Sequence, residues 1–378
     1  MSPAPPRTVV STASPRRQRL RPQPPPRAPA RPVGAACQHP RVSSGAPGLF
    51  GQGSLELDLE GQLELSLAEE PSAASSADQA RQSVDDLVRG AQRYRTASQY
   101  ADLLRAVGSS RHLSPLNAVL VDVQRPGATH VLTAARWRER HRRVVRADAQ
   151  PLVVLAPRGP VTFVFDVTGT EPLEGAPPLP LEVTDPGAAV AATGEPALTA
   201  RLDRLVDNLV GLGVGVRTGR LGSQQAGSVR AVTGGRPLRR ERVARGGRQQ
   251  TVVERVPLRY EVVLADGLEP RRRLVALLHA AAHVLCGHLG TPDPLWWPDR
   301  SGVEHDVEEW EAESVAHLVA RRADSSVELP PSVQQHLEAG LQPPLFSLER
   351  LARATGDLEA YGTRRFRSAE LGRARPTT

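Results

Sequence analysis

The chain has 378 residues, 24% of them charged, and a formal net charge of +7. All 48 basic residues are arginine, and the only cysteines are Cys37 and Cys286. Two cysteines exclude a disulfide framework and suit a reducing compartment. No apolar run reaches the ~18 residues of a membrane span, and the proline- and arginine-rich start lacks the apolar core of a secretion signal. The expected location is the cytoplasm.

Residues 1–48 hold eight arginines, no acid and twelve prolines. Such a segment cannot bury enough apolar surface to offset chain entropy, so disorder is expected. Removing its eight positive charges from +7 leaves −1 for the rest of the chain. The high pI thus belongs to the tail and says little about what a folded domain binds. Residues 54–67 alternate leucine with polar residues around Gly61, a hairpin pattern in an acidic linker that runs to residue 76.

From residue 77 the composition becomes globular, and the fold class expected is α+β. Residues 77–107 read as one or two helices. "SPLNAVLVDVQ" (114–124) reads as a helix with a serine cap ahead of proline. Residues 129–133, 151–157 and 160–167 read as strands by their β-branched and aromatic content. Between them, "RWRERHRRVVR" (136–146) reads as an arginine-rich helix around Trp137. Residues 77–170 contain 14 arginines against 8 acids. Arginine forks bind phosphate and an indole can stack on unpaired bases, although such a helix is also an ordinary solvated face with Trp137 as its core anchor. Tyr94, Tyr100 and His112 are further aromatic candidates. Prolines and glycines over 174–187 read as a linker between a domain at 77–185 and another at 190–365.

In the second region, 196–214 has helical leucine spacing, 216–256 reads as a long loop or loose hairpin, and 259–265 as a strand. Three helices are expected over 270–288, 307–323 and 347–362. The first contains "LVALLHAAAHVLCGHLG" (274–290), with His279 and His283 four apart. Residues so spaced lie ~6 Å apart on one helix face, so both imidazoles can reach one zinc ion. The third ligand is sought in "EEWEAESVAHL" (308–318). At ~100° per residue, Val307, Val315, Leu318 and Val319 form one apolar stripe that includes Glu311, while Glu313 falls about 160° away. A carboxylate aimed into a core is costly unless it is paired or binds metal, which selects Glu311 over Glu309 and Glu313. The residue after His279, where a zinc peptidase of HExxH type carries its general base, is Ala280. Losing that base costs roughly 10²–10⁴ in rate. Glu308, His305 and His317 are the replacement bases closest in sequence.

Taken in order, "LSPLNAVLVDVQRPGATHV" (113–131), Trp137, "RRV" (142–144), "LVVLAP" (152–157), "VFDVTGTEPL" (164–173), "LVALLHAAAHVLCGH" (274–288) and "WEAESVAHLVA" (310–320) resemble the ArdC-like antirestriction family. The resemblance covers roughly residues 77–362. It implies a bacterial cytoplasmic protein with an N-terminal α+β domain that binds single-stranded DNA and a mostly helical zincin-like domain related to ImmA/IrrE. It also implies zinc at His279, His283 and Glu311. The expected DNA contacts are Trp137, Arg136, Arg142 and Arg143, helped by Asn117 and Gln124. The sequence departs from the family pattern at Leu113, His141, Ala147 and Asp148 around the DNA-binding blocks, and at Ala280 in the peptidase helix. A DNA-binding antirestriction-type pseudoenzyme is therefore the first expectation, its C-terminal domain a scaffold or peptide-binding surface. The second is a working zinc endopeptidase that uses another base on a regulatory partner, with strand 259–265 pairing an extended substrate. The third is a regulator whose tail recruits a partner.

Overall fold

The computed structural model describes residues 94–371 except 157–160, 188–193, 223–224, 244–250, 325 and 368–369, all within the unit Leu67–Thr378. The expectations for 1–48, the hairpin at 54–67 and the start of the first helix lie outside the described residues.

Helix starts follow their caps. Thr96 opens α1 (Ala97–Ser109) with a capping box. Its hydroxyl accepts from the Gln99 N–H, and the Gln99 side chain accepts from the Thr96 N–H. Ser114 caps α2 (Pro115–Gln124), whose first position is the proline. After β1 (Val131–Leu132), Thr133 caps α3 (Ala134–His141). The arginine-rich helix is shorter than expected because Arg142 adopts a positive φ of 50° and turns the chain into β2 (Arg143–Val145). β3 (Leu152–Leu155), β4 (Val161–Asp166) and β5 (Thr170–Pro172) follow. β4 lies between β1 and β3, antiparallel to both, and β2 pairs with β5.

A one-turn helix, α4 (Leu181–Thr184), sits in the expected linker. α5 (Glu195–Leu212) ends at Gly213, whose φ is 88° and where a Cβ would meet the Pro257 carbonyl oxygen at 2.6 Å. The stretch expected as a long loop or loose hairpin carries more β-structure than that: β6 (Val214–Gly219), β7 (Gly227–Ala231), and an antiparallel pair of β8 (Leu238–Val243) and β9 (Thr251–Val256) that answers to the hairpin. Its many arginines and glycines hide the apolar alternation by which a strand is recognised. β10 (Tyr260–Ala265) runs between β6, parallel to it, and β7, antiparallel. Both its edges are occupied, so it cannot pair with an added substrate strand as expected.

The remaining helices are α6 (Pro270–Leu285), α7 (His305–Ala323), α8 (Pro331–Glu338) and α9 (Leu348–Thr363). The largest core joins Tyr100, Leu103 and Val107 of α1 and Leu116 and Val119 of α2 to Leu209, Leu277, Leu318 and Leu351 of the later helices. Hydrophobic packing thus runs across the boundary expected near 185–190. Arg322 reinforces it. Its buried guanidinium donates to the carbonyls of Val107, Ser110 and Leu113 and pairs with Glu359. The fold is α+β, and no described helix is long and apolar enough to cross a membrane.

Candidate metal centre

The Glu269 carboxylate caps α6 by accepting from the N–H groups of Arg271 and Arg272. Further along, Ala280, Ala281 and Ala282 are buried among leucines, and α7 packs against this stretch. His279 and His283 share one face, with their Nε2 atoms 3.1 Å apart. Glu309 of α7 completes the group, with Oε2 3.4 Å from His279 Nε2 and Oε1 3.4 Å from His283 Nε2. The hydrogen bond of His279 is the largest cause that holds the Glu309 carboxyl well below the usual carboxylate range. Burial lowers the His283 pKa, so its imidazole favours the neutral form that a metal requires.

These distances fit one tetrahedral ion. Ligands bound to zinc at 2.0–2.2 Å lie about 3.3 Å from one another, close to the 3.1 Å between the two imidazole nitrogens and the 3.4 Å from each of them to a different oxygen of Glu309. Two imidazoles and a carboxylate are also the donor types found in catalytic zinc sites. The residues present therefore fit a zinc-like cation.

Glu311, the expected third ligand, lies elsewhere. It does face the core and is solvent-free. Its oxygens, however, accept from both terminal nitrogens of Arg300, from His288 Nε2 at 3.0 Å and from the Ser347 N–H at 2.7 Å. Burial works to raise its pKa, and the bonds from His288, Arg300 and Ser347 outweigh that and hold it low. The apolar stripe does not pick out the ligand, because α7 has no wide polar side. Val307, Trp310, Glu311, Ala312 and every residue from Ser314 to Ala320 are buried. On such a helix a buried position does not single out one carboxylate.

A second group of potential donors, Cys286, His288 and Glu311, lies just behind the first. It does not fit a cation. Arg300 already supplies the positive charge there, and both Glu311 oxygens are engaged. Burial and the nearby Glu311 charge push the Cys286 thiol up to about 12, so without a cation it stays protonated. Arg300 carries no signal in the sequence pattern, and His288, which reads from sequence as an ordinary surface or helix-end histidine, is buried. The signal for His288 was Gly287 before it. With φ +82 and the Pro298 carbonyl oxygen 2.1 Å from where a Cβ would be, only glycine serves there. That turn folds His288 back, its N–H donating to the His283 carbonyl.

The general-base position, Ala280, is buried and carries no titratable group. Among the expected substitutes, His317 is buried against the Glu328 carbonyl, and burial lowers its pKa to about 4. His305 is exposed, with Nδ1 3.9 Å from Glu308 and 4.0 Å from Glu309.

The expected DNA contacts are scattered. Trp137 is fully buried among Leu132, Val183 and Phe165, and its Nε1–H donates to the Phe165 carbonyl, so it offers no stacking face. Asn117 and Gln124 of α2 satisfy the outer edge of β3. The Asn117 amide donates to and accepts from the backbone of Leu155, and Gln124 does the same at Val153. Arg142 donates to the carbonyls of Glu174 and Gly175, and Arg143 to the hydroxyl and carbonyl of Thr170. Tyr94 bonds Asp122, Tyr100 bonds Ser314, and both are buried. His112 stacks on His130 at 4.0 Å. Arg136 is exposed, as are Arg138 and Arg140, and none of the three has an acid partner among the described residues. Phe163 of β4, 57% exposed, shares a strand face with Phe165.

Comparison with family models, curated proteins and solved structures finds no match for this chain.

Proposed function

We propose that the chain binds zinc at His279, His283 and Glu309 in a peptidase-like site that has lost its general base. The observation that carries this reading is the convergence of two imidazole nitrogens 3.1 Å apart with a carboxylate that places one oxygen 3.4 Å from each, spacings near those within a zinc coordination sphere. Zinc, when bound, supplies a Lewis acid toward a carbonyl group. The residues around it supply ligand orientation, and Ala280 supplies no proton transfer. The site then serves as a metal-dependent surface for a peptide or protein partner. Measured zinc stoichiometry near one in the wild type, and near zero in His279→Ala and Glu309→Ala, supports the reading. Equal zinc content in all three refutes it.

The N-terminal half adds binding of single-stranded DNA, the antirestriction-type role that the family resemblance implies. What supports this is the exposure of three arginines of α3, Arg136, Arg138 and Arg140, together with an aromatic ring of β4, Phe163, that is exposed where Trp137 is not. Titration of a labelled oligonucleotide against wild type and an Arg136→Gln/Arg138→Gln/Arg140→Gln variant tests it, and unchanged affinity removes it.

The alternative is a working endopeptidase. It is favoured by His305, an exposed imidazole within 4.0 Å of Glu309. Peptide hydrolysis that is abolished in both His279→Ala and His305→Ala would replace the pseudoenzyme reading with this one.

A further inference from the structure

Behind the proposed ligands runs a continuous chain of polar side chains. His283 Nδ1 lies 3.1 Å from His288 Nδ1, His288 Nε2 lies 3.0 Å from Glu311 Oε2, and Glu311 is held by the Arg300 fork. The His288 and Glu311 side chains are both solvent-free. The direction of every hydrogen bond in this chain follows from its far end. The Glu311 carboxylate only accepts, so His288 Nε2 carries a hydrogen. With Nε2 as its donor, a neutral His288 ring offers Nδ1 as the acceptor, 3.1 Å from His283 Nδ1, and takes the hydrogen there. A neutral His283 with hydrogen on Nδ1 has none on Nε2. That bare nitrogen lies 3.1 Å from His279 Nε2 and 3.4 Å from a Glu309 oxygen, where its lone pair can take a cation shared with them in place of a hydrogen from His279.

We propose that His288, Glu311 and Arg300 are positioning residues that lock His283 in the Nδ1–H tautomer and so present its Nε2 lone pair to the metal. This rests on the reading of His279, His283 and Glu309 as a metal site. Partners behind a ligating imidazole fix its tautomer and ring orientation in this way, and their loss typically weakens metal binding about 10–100-fold. Gly287 is part of the same device, since its positive φ is what returns His288 to the ring it must meet. Leu285 and Cys286 add rigidity, because their carbonyls accept from Arg350 and Arg300.

Two measurements on the full chain separate this proposal from the metal reading. The first is long-range ¹H–¹⁵N correlation of the histidine rings in protein stripped of metal, which assigns each tautomer without a variant. His283 is expected as the Nδ1–H form. An Nε2–H form there overturns the relay even if zinc binds. The second is zinc affinity by competition with a chromogenic chelator. His288→Leu is expected to bind about 10–100-fold more weakly. His288→Gln, whose amide can both accept and donate, is expected to recover part of the loss. A folded His288→Leu protein with wild-type affinity also overturns the relay. Wild type that shows the expected tautomer yet binds no zinc leaves the relay standing and sinks the metal reading.

Discussion

The two glutamates of α7 offer the sharpest test, because the structure gives them opposite jobs. Glu311 is solvent-free and accepts from Arg300, His288 and the Ser347 N–H, while the Arg300 side chain is 17% exposed. Glu311→Ala leaves that guanidinium and the other donors without their acceptor. Removing one partner of a buried pair costs about 3–5 kcal/mol. At ~2–4 °C per kcal/mol for a domain of a few hundred residues, the melting temperature should fall by roughly 6–20 °C. Glu309 has 40% of its side chain exposed, and its neighbours in the site are imidazoles. Glu309→Ala in chelator should change stability by no more than about 0.5 kcal/mol. Zinc reverses the ranking. At 100 times its dissociation constant a ligand adds about 2.7 kcal/mol to the native state, which should raise the wild-type melting temperature by roughly 5–11 °C and leave Glu309→Ala unmoved. Scanning fluorimetry with and without zinc reads both effects. A Glu309→Ala protein that keeps the zinc-induced rise, or a Glu311→Ala protein that loses it while melting like wild type in chelator, refutes this division of roles.

Other consequences follow from the same geometry. His317 is buried with a folded-state pKa of about 4 against an unfolded value near 6.5, so only the unfolded chain gains a proton between these values. Its contribution is fully present above about pH 6.5 and is lost as pH falls to 4, a decline of about 3 kcal/mol that His317→Gln should flatten in denaturant titrations. Replacing Arg136, Arg138 and Arg140 by glutamine should lower the slope of log affinity for single-stranded DNA against log salt by about 2. Trp137→Phe removes the donor to the Phe165 carbonyl and should cost about 1–3 kcal/mol in denaturant titrations while leaving that slope unchanged. Asn117→Leu strips the Leu155 backbone of both partners, and hydrogen exchange at the Leu155 amide should accelerate along with a loss of about 1–3 kcal/mol.

What the sequence determined by itself is local. Ser114 before Pro115 set the start of α2, and the four-residue spacing of His279 and His283 set two imidazoles on one face. The vacancy at Ala280 was equally plain, and periodicity correctly sent Glu311 inward. Tertiary structure alone decided what each of these met. Glu311 found Arg300, from a segment with no helical or strand pattern, and Glu309 took the place beside the histidines. Trp137 and Asn117 read as candidate DNA contacts and turned out to hold the Phe165 carbonyl and the β3 edge. The physical reason is that a helical period states which residues share a face. It carries no information about which distant segment will pack there, and on a helix enclosed from almost every direction the polar-outside rule no longer chooses between two carboxylates.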